Sequence, residues 1–182
     1  MNHKPAFGAI DVIRVLLVTA IAALVMSVAL AASAQADQRS DRREQIRYAL
    51  ETMRLDYNQY VARANDFRGQ NCWERAPNCK KPPPYNDFDW TNDGCSWTPP
   101  PAVVVFNRAC QQHDFGYRNF GKGLTLGRTE RVRAYIDGRF LKEMRRMCRD
   151  PRVWGAFASY RRCRAMALSM YAVVRNRSDW SD

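Results

Sequence analysis

The chain has 182 residues, which is room for one domain and little more. Lys and Arg outnumber Asp and Glu by 29 to 18, and the net charge of +11 favours polyanions or anionic membrane surfaces as partners, unless the charge serves only solubility. Six cysteines without a C-x-x-C pair, and His113 as the sole histidine beyond the N-terminal segment, argue against zinc.

No charged residue lies between Arg14 and Asp37, and residues 15–30 form an apolar run. Lys4 and Arg14 precede the run, and Ala34-Gln35-Ala36 follows it as an A-x-A cleavage motif. Residues 1–36 are therefore expected to be a signal peptide, with Ala32-Ser33-Ala34 as the alternative cleavage motif; Asp11 departs from the basic pattern. An uncleaved membrane anchor is the competing reading, since about 20 apolar residues span a bilayer. Removal of Lys4, Asp11 and Arg14 leaves a charge of +10 on a single mature domain, 37–182. An even cysteine count in an exported domain reads as three disulfides, with fifteen pairings open in principle.

Residues 41–65 carry Ile46, Ala49, Leu50, Met53, Tyr57, Tyr60, Val61 and Ala64 at helical spacing, which predicts one helix. Gly69 ends it, and Cys72 and Cys79 are expected to close the following loop locally, completing an N-terminal region 37–84. Pro82, Pro83 and Pro84 predict an extended linker. Residues 88–97, FDWTNDGCSW, read as a tight loop before a second proline triplet at 99–101. Helical spacing resumes over 106–120, with Phe106, Cys110, His113 and Tyr117 on one face. Thr129 reads as the N-cap of a helix carrying Val132, Ile136, Phe140, Met144 and Met147. A last helix is predicted over 154–174, followed by a polar tail. No stretch alternates as a strand does, so the class is all-α: a small disulfide-bonded helical bundle.

Three places can carry chemistry. Any imidazole chemistry of the mature chain falls to His113, and Asp114 is turned roughly 100° from it around the helix. Asp137 borders the apolar face of its helix. By pattern alone it is a solvated boundary residue or, if buried, a carboxylate that needs a partner such as an imidazole N–H. Asp93-Gly94-Cys95 is either an ordinary Asn-Asp-Gly turn or an acidic loop that aims oxygen ligands at a hard cation, with Asp114 as a second carboxylate.

FDWTNDGCS at 88–96 followed by ACQQHDFGYRN at 109–119 resembles the secreted bacterial and fungal phospholipase A2 family. The resemblance runs from about residue 88 to Cys163 and includes the spacing to Asp137 in YIDGRFLKEM. It implies a catalytic region at 85–182, with His113 as general base and Asp137 as its orienting partner. It further implies Ca2+ held by the carboxylates of Asp93 and Asp114 and the backbone oxygen of Gly94. Cys95 would pair with Cys110, and Cys148 with Cys163. The implied activity is hydrolysis of the sn-2 ester of glycerophospholipids at a membrane surface or micelle, by a secreted monomer with no specific nucleic acid. Gly94 departs from the larger apolar residue of some relatives and suggests a looser loop, and the triplet at 99–101 is atypical. No G-x-S-x-G nucleophile motif is present. A reading from a different class is a non-catalytic cationic effector that binds membranes or nucleic acid through charge and Trp side chains.

Overall fold

A computed structural model describes residues 9–73, 76–96, 98–176 and 180, with the backbone alone at 9–13 and 15. Lys4, His3, Trp97 and most of the polar tail lie outside the described residues. The chain divides into two units, residues up to Asp41 and residues from Arg42 onward. In the first unit, the described part of the apolar run is helical, and Leu16, Leu24, Met26 and Leu30 are exposed. This stretch is long and apolar enough to cross a membrane, a property that signal sequences share.

The described residues are all helix and irregular segments. α1 spans Ala9–Arg54, α2 Tyr57–Gly69, α3 Ala102–Gly116, α4 Glu130–Met147, α5 Trp154–Phe157 and α6 Tyr160–Asn176. Two short 3-10 turns, Tyr85–Asp87 and Pro151–Val153, precede α3 and α5, and a π-turn, Tyr117–Gly121, continues α3. The second unit is the small disulfide-bonded helical bundle expected, with bridges Cys72–Cys79, Cys95–Cys110 and Cys148–Cys163.

Several boundaries differ from the sequence reading. The single helix expected over 41–65 breaks at Leu55 and Asp56. Asp56 Oδ1 accepts from the backbone N–H groups of Asn58 and Gln59, and the Gln59 side chain accepts from Asp56 N. This capping box starts a new helix, although the apolar period continues in phase across it. The linker expected at 82–84 is a turn in which Tyr85 N donates to Pro82 O at 2.9 Å, and the Pro83–Pro84 bond is cis. The second triplet also contains a cis bond, Pro100–Pro101. α3 begins four residues before the expected position, because the carbonyls of Pro99 and Pro101 accept from Ala102, Val104 and Val105. The loop at 88–96 is anchored rather than merely tight: Phe88 and Trp90 are buried, and Asn119 pairs with both the N–H and the carbonyl of Asp89. The helix expected over 154–174 is interrupted at Ala158, whose φ of 61° is left-handed. Ser159 then restarts it by accepting from Arg162 N. Thr129 caps α4 as its position predicts, accepting from Val132 N.

Two features bring α3 and α4 together. A Cβ on Gly116 would lie 2.7 Å from Ile136 Cγ2, so the crossing is closer than any larger residue allows. The open carbonyls at the end of α1 supply the second. Gln112 on α3 donates to Leu55 O at 2.9 Å, and Arg139 on α4 donates to Met53 O at 2.8 Å and Leu55 O at 2.9 Å. Helix ends need such partners when buried. These donors lie one residue before His113 and two after Asp137, so capping α1 also sets the register of both.

Candidate active site

His113 is buried on α3, between the rings of Tyr117 and Phe140 at centroid distances of 4.3 and 4.7 Å. Its Nε2 lies 2.8 Å from Asp137 Oδ1 on α4. Asp137 is fully buried and not the solvated boundary residue that pattern alone favours. Its oxygens are satisfied: Tyr117 Oη also donates to Oδ1 at 2.9 Å, and Arg175 donates to Oδ2 at 2.8 Å. Burial pushes the Asp137 carboxyl up, but the hydrogen bonds from His113, Arg175 and Tyr117 outweigh it and hold the group below its ordinary value. The acid is therefore ionised near neutrality. An ionised carboxylate only accepts, so Nε2 is the donor to Asp137 Oδ1.

Asp114, the next residue, serves the loop at 93–96. Its buried Oδ2 accepts from Asp93 N at 3.1 Å and Gly94 N at 3.0 Å. Cys95 ties the same loop to Cys110, one turn before His113. Gly94 has φ of 68°, and a Cβ there would lie 2.7 Å from Asn107 Oδ1. Glycine is thus the residue this tight backbone requires, and the looser loop suggested by the sequence is not what forms. The Asp93 carboxylate is half exposed, bonded by Ser96 and 3.4 Å from Arg118. Its burial opposes ionisation, but the Ser96 hydroxyl and the nearby Arg118 charge hold its pKa below the usual value.

Asp93, Gly94, His113 and Asp114 all line one pocket of about 290 Å³. Its opposite wall is apolar, with Phe140 from α4 and Met166, Met170 and Val173 from α6. Among the described residues no three His, Cys, Asp or Glu side chains converge as a metal cluster. The Asp93 carboxylate and Gly94 carbonyl of the loop, with the Asp114 carboxylate of α3 lining the same pocket, are oxygens of the kind that a hard cation takes.

The class defined here is a small disulfide-bonded helical protein in which a buried imidazole–carboxylate pair opens on an apolar pocket beside an oxygen-rich loop. Residues 54–178 match the prokaryotic phospholipase A2 family, and the chain belongs to that family. Two fungal proteins named secretory phospholipase A2 are similar to it. The one from Beauveria bassiana is 36% identical over 91 residues, covering 50% of this chain and 44% of its own length. The one from Arthroderma benhamiae is 33% identical over 111 residues, covering 59% of this chain and 69% of its own. The chain therefore spans less than half the length of the first relative.

The structure places His113 against Asp137, and Asp114 against the backbone of Asp93 and Gly94. Of the other two bridges, Cys72–Cys79 closes a loop after α2, and Cys148–Cys163 ties the end of α4 to α6 in the same core cluster as Cys95, Cys110 and Phe140. Tyr117 was visible in the sequence only as a neighbour on the helix face of His113; its contact with Asp137 was not. Arg175, Arg133 and Glu130, which surround the far side of Asp137, carried no signal in the sequence at all.

Proposed function

We propose that this chain is an exported, calcium-dependent phospholipase A2 that hydrolyses the sn-2 ester of glycerophospholipids. The contact of His113, which lines the pocket, with the buried Asp137 behind it supports this reading: Nε2 lies 2.8 Å from Asp137 Oδ1. With the ring proton on Nε2, Nδ1 is the basic nitrogen. It removes a proton from a water molecule as that water attacks the sn-2 carbonyl. The imidazolium formed is supported by the Asp137 carboxylate, and its proton is later returned to the departing alcohol of the lysophospholipid. No acyl-enzyme forms. The apolar wall from Phe140, Met166 and Met170 suits an acyl chain and keeps bulk water from the base.

The carboxylates of Asp93 and Asp114 and the carbonyl of Gly94 would hold the calcium ion. When bound, calcium supplies a Lewis acid for the ester and phosphate oxygens. Asp114 also holds the loop through two N–H groups, so one residue both charges and shapes the metal position.

Residues 1–36 act as the signal peptide in this reading, and the mature protein works as a monomer at a phospholipid surface or micelle. The apolar N-terminal helix and the secretory names of both relatives support export. Fatty-acid release from a phospholipid labelled at sn-2, with and without a calcium chelator, tests the activity. Release should be specific to sn-2 and stop in chelator. Release from sn-1, or release that ignores the chelator, would overturn the proposal.

A further inference from the structure

We infer that Arg175 is a positioning residue for the His113–Asp137 pair, acting through the far oxygen of Asp137; this inference rests on the hydrolase reading above. Arg175 stands at the end of α6, 38 residues from Asp137. One guanidinium nitrogen, Nη1, donates to Asp137 Oδ2 at 2.8 Å, and the other, Nη2, pairs with Glu130 at the start of α4. Arg133 is the only other cation recorded near Oδ2 among the described residues, and at 3.9 Å it is too far for a hydrogen bond. Its Nε donates to Glu130 at 2.8 Å and its Nη1 to Val174 O at 3.1 Å, and it also interacts with the Tyr117 side chain.

The consequence follows from the division of labour on the carboxylate. Oδ1 faces the imidazole and Tyr117, while Oδ2 faces Arg175. A carboxylate is free to rotate about its terminal torsion unless both oxygens are held. Tyr117 and His113 hold one oxygen, and Arg175 holds the other, so the plane of the acceptor offered to Nε2 is set from both sides. The same contact clips α6 to α4. Val173 and Val174, immediately before Arg175, line the pocket, so the arginine aligns the base and the apolar wall together.

A lysine retains the charge but offers one nitrogen in place of a fork, and cannot span Asp137 and Glu130 as the guanidinium does. The test uses the full chain as wild type, Arg175→Met and Arg175→Lys. kcat and KM are measured on sn-2-labelled phospholipid micelles with calcium, and the His113 ring proton is followed by NMR. The chain has two histidines, so His113→Asn assigns that signal. Arg175→Met should lower kcat about 10- to 100-fold, the scale of a small misplacement, with KM changed far less. Arg175→Lys should recover part of the loss. The ring-proton resonance should be displaced in Arg175→Met and less so in Arg175→Lys. Wild-type kcat in folded Arg175→Met, or an unmoved ring-proton signal, would overturn the inference. If Arg175→Met does not fold, Arg175→Lys decides: wild-type values in both measurements overturn the inference, and the intermediate loss and shift support it. Should the wild type prove inactive on phospholipid, the hydrolase reading fails, while the ring-proton arm still decides whether Arg175 positions Asp137.

Discussion

His113 and Asp137 meet at 2.8 Å from adjacent helices, and the contact uses Nε2, the ring nitrogen farther from the backbone. That choice leaves Nδ1 as the nitrogen that would act as base in the proposed mechanism. His113→Asn keeps a polar group in the space but removes the basic nitrogen. Turnover on sn-2-labelled phospholipid should fall by about 10²–10⁴-fold, the usual worth of general-base assistance. Circular dichroism at room temperature should be unchanged. Wild-type turnover in this variant would remove His113 from the mechanism.

The acid stability of the fold should report Asp137. Its pKa is lowered by folding, so it contributes stability above the unfolded carboxylate value of about 3.9. That contribution is lost as pH falls from there through the lower folded value. Urea midpoints of the wild type between about pH 2 and 6 should therefore decline more steeply with acid than those of Asp137→Asn. Parallel profiles for the two proteins would show that the carboxylate is not stabilised by its partners.

Calcium affinity should depend on the carboxylates of both Asp93 and Asp114. Asp114→Asn leaves an amide oxygen that can still accept from Asp93 N and Gly94 N, but it removes the charge. Asp93→Asn removes charge without touching those two bonds. Each should weaken calcium binding at least about tenfold in calorimetric titration, as ligand charge sets affinity in such sites. An unchanged dissociation constant in both variants would move the metal elsewhere.

Gly94 supplies a test of the loop itself. A methyl group there meets Asn107 Oδ1 at 2.7 Å and puts an L-residue at φ of 68°. Gly94→Ala should cost about 1–2 kcal/mol from the left-handed conformation alone, read as a lowered urea midpoint. Equal midpoints would mean that the loop relaxes freely.

Sequence reading followed local features more closely than it followed helix boundaries. The run around His113 and the Asn-Asp-Gly turn are local signals, because a helix face and a turn need only neighbouring residues. The break at Asp56 escaped notice because its capping box sits where the apolar period continues in phase. The early start of α3 escaped notice because Val103, Val104 and Val105 are poor helix formers, and only the carbonyls of the preceding prolines recruit them.

What the sequence by itself determined was the all-helical class, His113 as the one histidine beyond the N-terminal apolar run, and a set of acids that could serve beside it. Whether Asp137 meets water or His113 was not decidable from its place on the edge of an apolar stripe. The helix crossing decides it. Gly116 lets α4 approach α3, and Gln112 and Arg139 lock that approach onto the carbonyls at the end of α1. Arg175 lay further out of reach. Periodicity reports which face of a helix is apolar, but it does not report which distant helix end comes to rest against it. A partner 38 residues away on another helix is therefore specified only once α6 has packed on α4.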